Sequence, residues 1–302
     1  MKSALKWTGI ILGTLTGVLL LGMLLLYGTG RSRLYKKYEV VVQGVPIPTD
    51  AEALDEGKRI FQYRGCEACH GEHLQGVVYL DNPALGQVIT PNLTSGRGGI
   101  GSQRTDLDLI RAIKHGLRPD GTPLLFMPST EFYFLSDEDL GKVLAYIRSL
   151  PPVDNEPRPS ALSFSGFIAM NVVKSITFLP AELIPHDQPP PPAPKPAVTA
   201  AYGEYLSLSC KVCHGLTLSG GEIPGFPAEW PSAPNLTSGA GGRLPTWGEK
   251  GFIDILRDGE KHGLRINSLY MPWKSYRFMN DDELKAVYLY LMSLPPKEFG
   301  NR

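Results

Sequence analysis

The 302-residue chain holds 30 Lys/Arg and 30 Asp/Glu, a formal net charge of zero, so it lacks the strong basic footprint of a nucleic-acid-binding protein. Its length allows one large domain or two modest ones. Residues 1–45 carry six Lys/Arg against one acid, residues 46–158 carry 11 against 16 (net −5), and residues 197–302 carry 11 against 11. The acidic middle region weakly favours a basic partner.

The first element is apolar. Residues 8–27, TGIILGTLTGVLLLGMLLLY, contain no charged side chain, and 20 residues is the length of a helix that spans a bilayer. A cleaved signal peptide is the rival, but its apolar core is shorter and ends at a small-residue site. Here Leu24, Leu25, Leu26 and Tyr27 run into Gly28-Thr29-Gly30 with no A-x-A pattern, so an uncleaved single-pass anchor is expected. Arg31, Arg33, Lys36 and Lys37 follow the span, on the side that the positive-inside bias would place in the cytoplasm. Large domains translocate largely regardless of such charges, so the basic cluster is expected outside, against lipid headgroups. Gly9, Gly13 and Gly17 recur every four residues, a spacing that lets a second membrane helix approach. Chance in a Gly-rich span explains them equally well.

Next, Thr49-x-x-Glu52 predicts a capping box. The helix it opens should turn Leu54, Ile60 and Phe61 inward and Glu56, Lys58 and Arg59 to water. It leads into Cys66-Glu67-Ala68-Cys69-His70, and a helix with Tyr202, Tyr205 and Leu206 leads into Cys210-Lys211-Val212-Cys213-His214. These two C-x-x-C-H motifs use every cysteine in the chain. The pattern is that of covalent attachment of two haem c groups, through Cys66 and Cys69 and through Cys210 and Cys213. A zinc site built from the same four thiolates is the alternative. The pairs lie 144 residues apart, far beyond zinc-ribbon spacing, and zinc gives no reason for the histidine after each pair. Because c-type attachment takes place outside the cytoplasmic membrane, the haem domains are expected on the periplasmic side of a bacterial membrane.

Middle helices are predicted from Thr105-x-x-Asp108 and Thr246-x-x-Glu249. The last helices open at Ser136-x-x-Asp139 and Asn280-x-x-Glu283. Leu140, Val143, Leu144 and Ile147, then Leu284, Val287, Tyr288 and Leu291, follow at helical spacing, and Pro151 and Pro295 end them. Between the two halves, residues 162–179 are apolar but broken by Asn171 and Lys174. They predict a helix between the domains or on the membrane surface. Residues 185–196, PHDQPPPPAPKP, predict a stiff extended spacer.

The halves are copies. At an offset of 143 or 144 residues, Pro91-Asn92-Leu93-Thr94-Ser95-Gly96 matches Pro234-Asn235-Leu236-Thr237-Ser238-Gly239, Met127-Pro128 matches Met271-Pro272, and Leu150-Pro151-Pro152 matches Leu294-Pro295-Pro296. The domain division expected is an anchor over 1–45, a first domain over 46–158, a linker over 159–196 and a second domain over 197–302. The architecture expected is all-α: a transmembrane helix and two tandem haem domains.

The repeat also filters the iron ligands. His70 and His214 follow directly from the motif. Met127 lies 57 residues after His70, and Met271 lies 57 after His214. His115 aligns with Asp258, His73 with Thr217 and Met279 with Leu135, whereas His262 has no counterpart and His186 falls in the linker. Met127 and Met271 are therefore the expected sixth ligands. Thioether ligation raises the reduction potential and closes the sixth position. Pro91 and Pro234 could offer carbonyls to the histidine rings. Asn92, Asn235, Trp247, Arg97 and Arg243 could bind propionates or could simply shape turns.

Together, Thr90-Pro91-Asn92-Leu93-Thr94, Gly98-Gly99-Ile100-Gly101, Asp108-Leu109-Ile110-Arg111-Ala112, Asp120-Gly121, Met127-Pro128, Leu135-Ser136-Asp137-Glu138-Asp139-Leu140 and Ala145-Tyr146 resemble the class I cytochrome c domains of multi-haem bacterial cytochromes. Among these, the chain is similar to the cytochrome subunit of membrane-bound alcohol and gluconate dehydrogenases. The resemblance covers residues 50–152 and, more loosely, 199–296. It implies a helical fold around each haem with His/Met ligation. Those subunits typically have three haem domains and a cleaved signal, whereas this chain has two.

The function expected is electron transfer within a respiratory or other membrane redox complex, with the bilayer as one partner and a protein donor or acceptor as another. The alternatives are a dihaem enzyme of the peroxidase or thiosulfate-oxidising type, and a free-standing anchored shuttle.

Overall fold

The computed structural model describes residues 2–226, 229–261 and 263–302. Helix α1 (Lys2–Leu34) contains the apolar run and continues one to two turns past it. It is the one helix among the described residues that is long and apolar enough to cross a membrane. Among the described residues, nothing beyond the neighbouring turns of α1 lies within 4 Å of a Cβ placed at Gly9, Gly13 or Gly17.

In the first repeat, α2 (Ala51–Tyr63) leads through Gly65 into the short α3 (Cys66–His70), and α4 (Asp106–His115), α5 (Ser129–Phe132) and α6 (Asp137–Ser149) follow. The linker holds α7 (Phe164–Val172). The second repeat runs through α8 (Ala200–Leu206), α9 (Cys210–His214), α10 (Leu244–Asp258), α11 (Trp273–Tyr276) and α12 (Asp281–Ser293). In each repeat the first and last long helices pack together, α2 on α6 and α8 on α12. Glycine makes both crossings possible: a Cβ at Gly57 would strike the Lys142 carbonyl, and one at Gly203 the Ala286 carbonyl. Buried side chains of both repeats, from Ile60 and Phe61 to Leu284 and Leu291, form one continuous core, so the repeats share a seam.

Several helix starts differ from expectation. Asp50, not Thr49, caps α2 by accepting from the Ala53 amide at 2.9 Å. The helix starts expected at Thr105 and Asn280 form, each closed by a capping box with Asp108 and Glu283. By contrast, α10 starts at Leu244, two residues before Thr246, because Pro245 suits the first turn, and Gly248 (φ 66°) kinks it. Arg59 does not face water alone; it pairs with Glu56 and Glu283.

The expectation of an all-α fold holds only loosely. Strands β1 (Val78–Asn82) and β2 (Gly86–Ile89) form an antiparallel hairpin directly after the first C-x-x-C-H, and β3 (Ala161–Leu162) from the linker extends it. A run of Val, Val, Tyr and Leu before the Asn82-Pro83 turn has strand chemistry. A two-residue ribbon, β4 (Glu260–Lys261) with β5 (Leu264–Arg265), follows α10.

Helix α7 lies against α1 and not between the domains. Tyr27 stacks on Phe164 at 5.0 Å and meets Phe167 edge-on at 5.3 Å, and Asn171 Nδ2 donates to the Leu26 carbonyl at 2.8 Å. Arg33 does not simply face headgroups. Its fork donates to both Glu182 carboxylate oxygens, at 2.9 and 2.6 Å, and Nη1 reaches Asn171 Oδ1 at 3.1 Å. The linker between residues 189 and 195 has neither helix nor strand.

Candidate functional site

Each C-x-x-C-H is a single helical turn that presents its two cysteines and its histidine together. The glycine after each histidine is left-handed, Gly71 at φ 82° and Gly215 at φ 81°, a conformation that a Cβ would strain. The chain then folds back identically in both copies. Gly76 N–H donates to the His70 carbonyl and Gly220 N–H to that of His214, each at 2.9 Å. Leu74 and Leu218, fully buried at φ 56° and 60°, anchor the Pro-Asn loops through Leu93 N–H (2.8 Å) and Leu236 N–H (2.9 Å).

Both histidines are buried. His214 Nδ1 lies 2.8 Å from the Pro234 carbonyl, the partner suggested by sequence. If Nδ1 carries the proton there, Nε2 is free to ligate. The Pro91 contact is looser: the carbonyl opposes the lowering of the His70 pKa, yet Nδ1 has no partner in hydrogen-bond geometry. Burial holds His70 down to about 4 and lowers His214 as well, which keeps both imidazoles neutral, the form that binds a metal. Burial also pushes the Cys66 and Cys210 thiols up to about 12. They are thus poor thiolate nucleophiles or thiolate ligands.

In the second repeat a cavity of about 450 Å³ brings Cys210, Cys213, His214 and Met271 onto one space. Leu206, Leu244, Phe252, Leu256, Val287 and Leu291 give it apolar walls, and Arg243 and Trp247 also line it. Met279 reaches the same cavity, but only Met271 has an equivalent in the first repeat. Met127-Pro128 and Met271-Pro272 share one backbone shape, with the prolines at ψ 50° and 53° opening α5 and α11. A largely apolar cavity of this size, with two thiols and an imidazole on one helical turn, fits a covalently held haem. Zinc does not fit: among the described residues no three His, Cys, Asp or Glu side chains converge as a metal site.

Other candidates lie elsewhere. His73 is exposed, His115 and His186 contact each other, and His262 is outside the described residues. Arg97 forms an exposed pair with Glu156. Asn92 and Asn235 are loop staples. Asn92 Oδ1 accepts from Thr94 N–H at 3.0 Å and Asn235 Oδ1 from Thr237 N–H at 2.9 Å, while their amides donate to the Val153 and Lys297 carbonyls. Sequence reasoning missed Arg64, buried at the seam two residues before Cys66. It stands opposite Leu208, so a search for repeated residues passes over it; an unrepeated charge beside a haem motif is the signal that could have found it.

Two helical repeats, each carrying a C-x-x-C-H turn and a Met-Pro step that in the second repeat line one cavity, define a tandem c-type cytochrome. The cytochrome c family profile matches residues 54–151 and 200–295, and the chain belongs to that family. Two covalently bound haem c groups go with this double membership. The chain is 27% identical over 273 residues to the cytochrome c subunit of the quinone alcohol dehydrogenase of Gluconacetobacter polyoxogenes, covering 82% of this chain and 57% of that one. It is 25% identical over 285 residues to the fructose dehydrogenase cytochrome subunit of Gluconobacter japonicus (83% and 55%). A diheme cytochrome c-type protein of Cereibacter sphaeroides is 29% identical over 137 residues (39% and 46%). The chain thus spans little more than half the length of the longer-matching curated relatives.

Proposed function

We propose that the chain is a membrane-anchored dihaem electron-transfer subunit of a membrane redox complex and not itself a catalyst of substrate chemistry. The observation that carries this reading is the cavity shared by Cys210, Cys213, His214 and Met271, with the same backbone devices repeated around Cys66, Cys69, His70 and Met127. In this reading Cys66 and Cys69, and Cys210 and Cys213, hold the haems by thioether bonds. His70 with Met127 and His214 with Met271 would ligate the two haem irons. The domains span 46–158 and 197–302, and residues 8–27 cross the bacterial cytoplasmic membrane once, with both domains on the periplasmic side.

Each haem iron supplies reversible one-electron chemistry when bound. The chain's own residues orient the imidazoles, exclude water with apolar walls and fill the sixth position with sulfur. No open position is left for oxygen or peroxide. The relatives' names support a dehydrogenase complex as the setting, with a protein donor or acceptor.

The test uses the full chain in detergent. Two haems should stay attached after denaturation, and Met127→Ala and Met271→Ala should each remove half of the weak sulfur-to-iron band at the red end of the spectrum. Acid-extractable haem, or a variant with the full band, overturns the assignment. Co-purification with partner subunits from native membranes tests the setting, and a chain that always purifies alone is a shuttle.

A further inference from the structure

The Arg64 guanidinium is a buried cation without an adequate partner. The residue is 9% exposed, and its Nε and Nη2 atoms are buried with no hydrogen-bond acceptor. Two rings hold it: Tyr63 of its own repeat at 5.3 Å and Tyr205 of the other at 5.0 Å. Tyr205 in turn donates to Asp139 at 2.5 Å and accepts from Ser136 N–H at 3.2 Å, so it is fastened to the first repeat. The fork therefore sits on the seam, beside Cys66 in sequence and against the core that also takes in Cys210. Aromatic faces attract a cation but accept none of its N–H groups in the plane of the fork. A buried charge left in this state is costly unless an anion completes it. Asp139 and Glu131 lie within its field, but neither accepts from Nε or Nη2.

We propose that Arg64 is a positioning residue common to both haem sites: its fixed, buried charge at the seam raises the reduction potential of both haems together. This rests on the haem assignment above. The reach to both sites has electrostatic support, since the Arg64 charge opposes the rise in pKa of the Cys66 and the Cys210 thiols alike. A positive charge at the seam disfavours ferric iron on either side. It therefore holds the two potentials up together, as one electron at a time leaves one site and enters the other.

The experiment compares Arg64→Leu, Arg64→Gln and Arg64→Lys in the full-length chain, with both potentials read by spectroelectrochemical titration. Haem content and the sulfur-to-iron band are recorded first, so a failure of the haem assignment is seen separately. With Leu or Gln both midpoints should fall, and with Lys both should return toward wild type. A purely structural arginine would lower thermal stability and leave the midpoints in place. Unmoved midpoints, or a shift of only one, with the band intact, overturns the proposal. If the Leu protein does not take up haem, the Gln and Lys pair makes the same comparison with polarity and bulk retained.

Discussion

Arg59 of α2 and Glu283 of α12 form a two-point ion pair across the seam, with Arg59 Nη2 donating to Glu283 Oε1 at 2.8 Å and Nη1 to Oε2 at 2.5 Å. The Glu283 side chain is 4% exposed, and the same carboxylate accepts the Asn280 amide of the α12 capping box at 2.7 Å. One side chain thus starts a helix in one repeat and fixes the other repeat to it. Removing Glu283 leaves Arg59 paired with Glu56 but takes away a charge-assisted hydrogen bond across the seam and the α12 cap acceptor, a loss of about 2 kcal/mol. Glu283→Ala should destabilise by about that amount in denaturant titration. Glu283→Gln, which keeps a cap acceptor, should cost less, and neither should release haem under native conditions.

The glycine crossings should be intolerant of a single methyl group. Gly57→Ala and Gly203→Ala each drive a Cβ into a backbone carbonyl of the facing helix, and backbone cannot rotate aside. Overpacking of this kind costs about 1–3 kcal/mol. Thermal melts of the two variants should fall by similar amounts, because the α2–α6 and α8–α12 crossings are equivalent. A melt unchanged for either variant would mean that its helix pair is free to separate.

What the sequence disclosed depended on whether a feature recurs. Both C-x-x-C-H turns, the Met-Pro steps, the Pro-Asn loops and the final helices are duplicated, and each was legible from spacing alone. The hairpin at Val78–Asn82 and Gly86–Ile89 is matched, among the described residues of the second copy, by an isolated Gly221–Ala233 bridge, and a helical periodicity search passes over so short a run. Arg64 and Glu131 were invisible because they do not recur, standing opposite Leu208 and Ser275. The docking of α7 on α1 was out of reach for a different cause. Asn171 reads as an interruption of an apolar segment until the Leu26 carbonyl is found opposite it.

That docking predicts a fixed anchor. Tyr27, the last residue of the apolar run, stacks on α7, and Arg33 is held by Glu182 and Asn171. Arg33→Ala should leave membrane attachment and both haems intact, since neither depends on the fork. Amide exchange within α7 should quicken about tenfold or more, as local opening no longer has to break the clamp. Unchanged protection would show that ring stacking alone holds the helix.

The His115–His186 contact predicts acid sensitivity of the linker. Their Nδ1 atoms are 3.0 Å apart, and His186 Nε2 lies 2.9 Å from the Ala181 carbonyl. That carbonyl can only accept, so neutral His186 carries its proton on Nε2 and its Nδ1 accepts from His115 Nδ1–H. Burial first, then His186, Lys114 and Arg111, hold His115 down to about 4. Burial first, with Lys36 adding, also lowers His186, while Ala181 and Asp187 oppose. Both folded values lie below the ordinary histidine value of about 6.5, so the unfolded chain takes up protons first as the pH falls. Stability is therefore full above about pH 6.5 and is lost as the pH drops toward about 4, by at most about tenfold in folding constant per pH unit for one histidine. Denaturant midpoints should fall between pH 7 and pH 5 in the wild-type protein and fall less in His115→Gln. The segment around His186 should become protease-sensitive over the same range, before either haem changes its spectrum. An equal pH dependence in the variant would place the titrating group elsewhere.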